Sequence, residues 1–373
     1  MASRSWRALL LTVHRWLGLS AGLLLILNAL TGSMMLAARP LDRAINSHLF
    51  VVPVPADAQR FPLEDLRQSL VKEFGTQAGF TIRPPREPGE SLLVYVRSDS
   101  WAGQAHYDPY TGKRLGVRAE HEGFANKLFE FHSSLLSGDL GKQILTINVL
   151  TLLAMLITGL IVWWPARWRG ALSVTLNRGT LRGLLDLHRL GGVVFGLWVL
   201  VCVASGAWMA WRPISQWVTQ AAGQQSVGAP KVTLVTTGQP ATVDQMVATA
   251  HAAMPGGMVG YVVLPAKPTA PVRIRKKLDD DPHPNGLSSV WLHPRTGEVL
   301  RAVRWTDLDI GARSTAWIYP LHSGMLAGAV GVIFTAAGGF LLFGFGLTGT
   351  WLWWLKRRLR QAVPTPTSLS SNS

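Results

Sequence analysis

The sequence predicts a membrane α-helical protein: a four-transmembrane-helix bundle from a parallel internal duplication, with a small α+β module outside the bilayer in each half. Three observations carry this reading: four apolar blocks, a one-sided distribution of arginine, and a series of motifs that occurs twice. The blocks cover approximately 9–36, 143–164, 190–211 and 325–355 of the 373 residues. Each is long enough to cross a hydrocarbon core of roughly 30 Å. Backbone polar groups find no water in lipid, so each block has to be helical.

The net charge of +15 raises a nucleic-acid reading, which the placement of the arginines sets aside. Arg4, Arg7 and Arg15 flank the first block. Arg167, Arg169, Arg178, Arg182 and Arg189 fill the region between the second and third, and Lys356, Arg357, Arg358 and Arg360 follow the fourth. With alternating blocks, all three groups fall on one side. The positive-inside rule places that side, with both termini and the 165–187 loop, in the cytoplasm. The lone Cys202 excludes an intrachain disulfide, a cysteine-based metal site and a covalent haem attachment motif. The first apolar run is longer than a signal-peptide core and reads as a retained helix.

The repeat is legible by self-comparison. His14-Arg15-Trp16-Leu17-Gly18, Gly22 and Thr31-Gly32 in the first block correspond to His188-Arg189-Leu190-Gly191-Gly192, Gly196 and Ser205-Gly206 in the third. His132-Ser133, Gly138, Thr158-Gly159 and Trp163-Trp164 correspond to His322-Ser323, Gly328, Thr348-Gly349 and Trp353-Trp354. Between the blocks, Asp108-Pro109-Tyr110-Thr111-Gly112 matches His293-Pro294-Arg295-Thr296-Gly297, each read as a turn between two strands. Helices are expected over Pro62–Phe74 and over Val243–Met254, the latter behind a Thr242/Gln245 capping box. Strands are expected over Leu92–Arg97 and Pro271–Lys277.

The expected division is therefore a helix over 1–36, a module over 37–142, a helix over 143–164 and a cytoplasmic loop over 165–187. The second half repeats it: a helix over 188–211, a module over 212–321, a helix over 322–358 and a disordered cytoplasmic tail over 359–373. Parallel repeats predict a pseudo-twofold axis along the membrane normal.

Such an axis turns four histidines into two pairs: His14 with His188 inside, His132 with His322 outside. Two facing imidazoles in a helix bundle suit the axial positions of a haem iron. Glycines would let the flat ring approach: Gly18, Gly22, Gly32, Gly191, Gly192, Gly196 and Gly206, with Gly159, Gly328, Gly331, Gly338 and Gly339. The same glycines also suit ordinary helix contacts. Arg15 and Arg189 are candidates for the anionic propionates and equally for topology anchors. The tryptophans at 163, 164, 351, 353 and 354 read as an interfacial belt. Asp279-Asp280-Asp281-Pro282-His283 has the composition of a hard-cation site and is read as a solvated acidic loop, and His106, His121 and Glu122 are treated with the same reserve. His132 stands some ten residues before the apolar core of its helix, which suggests a short interfacial helix.

Together, the His-Arg-Trp-Leu-Gly-Leu start, the repeated His-Ser, the Thr-Gly and Trp-Trp endings and the Asp/His-Pro-x-Thr-Gly turns resemble the PepSY-associated transmembrane family over about residues 8–358. The resemblance implies periplasmic PepSY-like modules and two bis-histidine b haems, with His14, His188, His132 and His322 as iron ligands by position. It implies a ferric-siderophore reductase, with siderophore and membrane lipid as partners and a quinol or a cytoplasmic reductase as electron donor. Leu190-Gly191 replaces Trp16-Leu17 in the second half, so the halves need not bind equivalently. The competing reading is a haem-free PepSY membrane protein that restrains a periplasmic protease or assembly partner. Coupled transport fits less well, since no carboxylate was read inside the helices.

Overall fold

The computed structural model describes residues 2–211, 213–233, 237 and 239–361. In chain order the elements begin with α1 (Ala2–Ile45), α2 (Ser47–Phe50) and α3 (Leu63–Phe74). Four strands follow, β1 (Gly79–Arg83), β2 (Leu92–Arg97), β3 (Ala102–Tyr107) and β4 (Arg114–Ala119). Then come α4 (Phe124–Ser134), α5 (Gly138–Trp163), α6 (Thr180–Ala210), α7 (Pro213–Ala221) and α8 (Val243–Ala253). The chain ends with β5 (Met258–Leu264), β6 (Val272–Lys277), β7 (Ser288–Leu292), β8 (Val299–Val303), α9 (Ile310–His322) and α10 (Gly328–Gln361). Among the described residues, α1, α5, α6 and α10 are long and apolar enough to cross a membrane, and the chain is a multi-pass membrane protein.

Two compact units form. The first holds the chain up to Met34, Phe131–Ala207 and the chain from Val332 onward. Leu25, Leu152 and Val199 make its small buried core, with Trp198 and Leu342 packed against them. Leu23, Ile147, Leu197 and Ile333 remain exposed, as expected for side chains solvated by lipid tails. Several boundaries differ from expectation. Helix α1 continues past 36, through Pro40, to Ile45. Helix α6 begins at Thr180, within the expected 165–187 loop, because Gly179 (φ 87°) starts it and Asp186 binds Arg182 and Arg189 along its first turns. The fourth crossing does not run unbroken from 322: α9 ends at His322, Gly324 turns left-handed (φ 78°), and α10 starts at Gly328. The expected tail overlaps α10 as far as Gln361, and 362–373 lie outside the described residues.

The second unit holds Met35–Glu130 and Trp208–Gly331. Two separate sheets were expected. Instead all eight strands form one antiparallel sheet in the order β4-β3-β2-β1-β5-β6-β7-β8, joined where Thr81 pairs with Val263. Each four-strand meander has one end strand whose open edge the other meander can use, and pairing β1 with β5 satisfies both. Helices α3 and α8 cover one face, burying Leu66, Leu70, Met246 and Ala250 against Ile82, Val94, Val262 and Ile274. The expected strand Leu92–Arg97 and the Thr242/Gln245 capping box are both present. The two matched turns are built alike. Asp108 Oδ1 accepts from the N–H groups of Tyr110 and Thr111, and His293 Nδ1 accepts from those of Arg295 and Thr296. Gly112 (φ 70°) and Gly297 (φ 71°) take the left-handed position that a side chain would disfavour.

Candidate functional site

The first unit sets three histidines against three neighbouring helices in one way. His14 of α1 has Nδ1 at 3.1 Å from Met155 O and 3.2 Å from Thr158 Oγ1 of α5. His132 of α4 has Nδ1 at 3.1 Å from Asn28 O and 3.3 Å from Thr31 Oγ1 of α1. His188 of α6 has Nδ1 at 3.4 Å from Thr348 Oγ1 of α10. Each threonine hydroxyl donates back to its own helix, at Ala154 O, Leu27 O and Gly344 O. Its oxygen is left to accept, and a carbonyl can only accept. Nδ1 therefore carries the proton in each imidazole, and Nε2 carries the basic lone pair. The next residue on each receiving helix is glycine. A methyl group placed there would stand 2.8 Å from His132 Cε1 at Gly32, 3.1 Å from His14 Cε1 at Gly159 and 3.4 Å from His188 Cε1 at Gly349. The repeated Thr-Gly pair is thus a seat for an imidazole: an acceptor beside a gap.

His14 and His188 are half-buried and lie within electrostatic reach of each other. Each heads a stripe of glycines spaced four apart, Gly18 and Gly22 on α1, Gly192 and Gly196 on α6, so the stripe stays on one helix face. Among described atoms, nothing lies within 4 Å of a methyl group placed at Gly22, Gly192 or Gly196, while Gly18 meets Met155 Cε at 3.2 Å. These faces are flat. His132 sits in a short helix separate from α5, as its distance from the apolar run suggested; the connection turns through Leu135 (φ 52°) and Leu136 (φ 56°). Two non-glycine residues in that region store strain, of order 1–3 kcal/mol each, at the corner that presents His132. His322 is the last residue of α9, in the second unit, and is half-buried.

Other glycines serve packing. Gly338 receives the ring of Trp198, and Gly339 lies against Ser33, whose hydroxyl donates to Ala336 O at 2.8 Å. Gly32, expected to line a macrocycle, receives His132 instead. The departure at Leu190-Gly191 has a volume explanation: the ring of Phe345 fits against Gly191, where the first half has Leu17 and, at the position of Phe345, the slimmer Met155, which lies against Gly18. Of the two candidate arginines, Arg189 pairs with Asp186 at 3.5 Å, and Arg15 is exposed with its guanidinium 5.8 Å from the Trp16 ring. Asp186 is buried and also takes Arg182 at 3.0 Å and the Thr175 N–H at 3.3 Å. Sequence reading passed over this carboxylate inside a crossing helix; its signal was the Arg182-Asp186-Arg189 spacing of four and three. Trp164, Trp351 and Trp354 are exposed, and Arg358 stacks 4.0 Å over Trp354, as interfacial residues do.

In the second unit, the 279–283 loop is solvated at Asp279 and Asp280, which are exposed, and turns inward at Asp281. Asp281 is buried, and its carboxylate accepts from the N–H groups of His283 and Leu287 at 2.9 and 2.5 Å. Asp280 pairs with Arg304 at 3.0 Å. His106 is buried against Phe50, His121 pairs with Glu130, and Glu122 caps the Ala119 N–H. No group of three or more His, Cys, Asp or Glu side chains able to hold a metal ion occurs among the described residues. A haem iron needs only two such side chains from the protein.

None of the curated proteins compared with the chain matches it. A family model does, over residues 11–356, a span that reaches all four crossing helices and holds the eight described strands. That family is the PepSY-associated TM region, and the chain belongs to it.

Proposed function

We propose that the chain is a bacterial inner-membrane di-haem b protein, termini in the cytoplasm, that reduces siderophore-bound ferric iron in the periplasm and releases Fe(II) for uptake. The observation that carries this is the shared seat of His14, His132 and His188. Each Nδ1–H is tied to a carbonyl or threonine oxygen of a neighbouring helix, which leaves Nε2 as the ligand atom. Metal-binding histidines are held in this way, since the second hydrogen bond fixes both tautomer and ring direction. Seat and glycine stripe together fit a flat, bis-histidine group between helices.

When bound, a b haem supplies one-electron transfer. His14 and His188 would hold the inner group, with Arg15 and Arg189 as the cations available to its anionic propionates, and His132 and His322 would hold the outer one. The chain's own contribution is to orient four imidazoles, exclude water with lipid-facing helices and present a periplasmic surface to the chelate. Ferric iron is the harder ion and prefers the oxygen donors of a siderophore; one electron, drawn from a quinol or a cytoplasmic reductase, yields Fe(II), which those donors hold less tightly. The palindromic strand order supports reading the sheet unit as two fused PepSY-like modules from one duplication.

The test is optical. Protein from haem-replete cells is expected to show a reduced-minus-oxidised b-type spectrum, and His14→Ala or His188→Ala to remove part of it. A colourless wild-type protein overturns the proposal and leaves the haem-free regulatory reading.

A further inference from the structure

The sheet has a second face, opposite α3 and α8, and it is basic. Register places Thr81, Tyr95, Val263, Arg273 and Trp291 on it, with Arg83, Tyr261, Arg275 and Ser289 one step of two along the same strands. Arg39 and Arg86 lie within electrostatic reach of Arg83 and Tyr95, and Arg86 also donates to Asn285 Oδ1. Five guanidiniums therefore share this region. The carboxylates that answer them are few. Glu90 meets Arg83 at 3.8 Å but is also taken by Arg43 at 3.3 Å. Asp281 is within reach of Arg275, yet both its oxygens accept backbone N–H groups.

The arginines are not spread in bulk water. Arg83, Arg86, Arg273 and Arg275 are half-buried, and the Arg83 side chain keeps 15% of its exposure. Arg83 Nε is buried with no hydrogen-bond partner. Burial, with Arg275 beside it, pushes Arg273 down to about 10, and burial and the neighbouring Arg39 and Arg86 lower Arg83. A guanidinium does not shed its proton at ordinary pH, so the charges stay and repel. Aromatic faces support the group: Arg273 lies 5.1 Å over Trp291, Arg275 lies 5.3 Å over Tyr261, and Tyr95 stands 6.5 Å from Tyr261. Forked donors beside aromatic rings are the recognition chemistry for a compact anion with several carboxylate-type oxygens. A flat membrane surface engages exposed lysines and arginines, not guanidiniums sunk between strands.

We propose that this face binds a compact polycarboxylate anion, held by Arg83, Arg86, Arg273 and Arg275, and that the substrates of the chain are accordingly ferric chelates of the anionic, carboxylate-bearing class. The second half of this statement rests on the reductase reading; the anion site does not.

The experiment uses the purified full chain in detergent, titrated calorimetrically with citrate and separately with ferric citrate. Saturable binding of both is expected, weakening as salt rises. Arg83→Gln and Arg275→Gln are each expected to weaken it by about tenfold or more, the scale for removing one partner of a shielded charge pair. Arg275 also donates to Gly286 O and could be needed for folding; Arg83→Gln, whose Nε has no bond to lose, covers that case, with thermal unfolding as the check. No saturable binding, or binding indifferent to both substitutions, overturns the site. Binding only to anionic phospholipid vesicles, lost in the variants, overturns it in favour of a membrane contact. Citrate binding by a protein that shows no haem spectrum keeps the site and sinks the reductase reading, together with the substrate class that rests on it.

Discussion

His132 and Gly32 fit together so closely that a methyl group on Gly32 would stand 2.8 Å from the ring carbon Cε1. The two other seats are looser, at 3.1 Å for Gly159 under His14 and 3.4 Å for Gly349 under His188. Alanine at these positions should therefore act in a graded way. Gly32→Ala has to displace the imidazole, at the roughly 1–3 kcal/mol typical of overpacking. Gly349→Ala is an ordinary van der Waals contact and should be nearly silent, with Gly159→Ala between them. Haem-to-protein ratio and thermal midpoint, measured on all three, should rank in that order. Equal effects would show that the glycines matter for something other than the histidines.

The threonines give a second prediction. Thr158→Val and Thr348→Val keep shape and remove the oxygen that receives Nδ1–H. His14 retains Met155 O as an acceptor, so Thr158→Val should be mild. Thr348→Val should be the more damaging, with affinity for the bound group falling about 10- to 100-fold, the usual scale for losing such a support. Haem retention during gel filtration separates them. Parity between the two substitutions would rule out the carbonyl as a working acceptor.

The four crossings, most of the strands and the matched turns were legible because each has a local cause: an apolar run, an alternation, or an Asx-type side chain before glycine; β1 and β5 were not read. The histidine seats were half legible. Self-comparison found both His14 and Thr158-Gly159 as repeated motifs, but nothing local says that one rests on the other, since the contact joins residues far apart in the chain. The pairing of β1 with β5 was illegible for the same reason: any open edge strand could have accepted either meander. Asp186 was overlooked because a carboxylate counts against a crossing helix until its partners, Arg182 and Arg189, are placed beside it. The basic face of the sheet was visible only as net charge. Alternation in Val272–Lys277 showed that Arg273 and Arg275 share a face, not that Arg83 shares it too.

Helices α3 and α8 cap each other. Asp244 accepts from the N–H groups of Leu63 and Glu64 at 3.0 and 2.9 Å, and Glu64 accepts from the Val243 N–H at 3.1 Å. Pro62, at the start of α3, makes no side-chain cap of its own. Asp244→Ala should cost about 1–2 kcal/mol, as losing an N-cap does, and Asp244→Asn less. Burial pushes the Glu64 carboxyl up, but Arg67, the Val243 N–H and Gln68 outweigh it and hold it below its ordinary 4.5. The stabilisation from Glu64 is then present above pH 4.5 and lost as pH falls through the lower, folded value. Acid unfolding followed by tryptophan fluorescence should be less steep in Glu64→Gln. An unchanged acid limb would remove Glu64 from the account.

His106 and His283 make the opposite end of the acid response. Burial, with Arg118 beside His106 and Arg275 beside His283, pushes each down to about 4, against an ordinary 6.5. Both are neutral in the folded sheet unit at pH values where the unfolded chain has protonated them. Between about 4 and 6.5 the unfolded state therefore binds more protons, and stability rises with pH across that window. Its full value is reached above 6.5. His106 is the cleaner probe, because its ring is enclosed against Phe50 and its Nε2 has no partner to rescue a charge. His106→Gln removes the titration while keeping a polar side chain, so the unfolding midpoint of the variant should vary less between pH 6.5 and 4 than that of the wild type. A variant that tracks the wild type through that interval would mean that His106 is reached by water, and that the sheet opens locally between α2 and β3 before the rest of the unit unfolds.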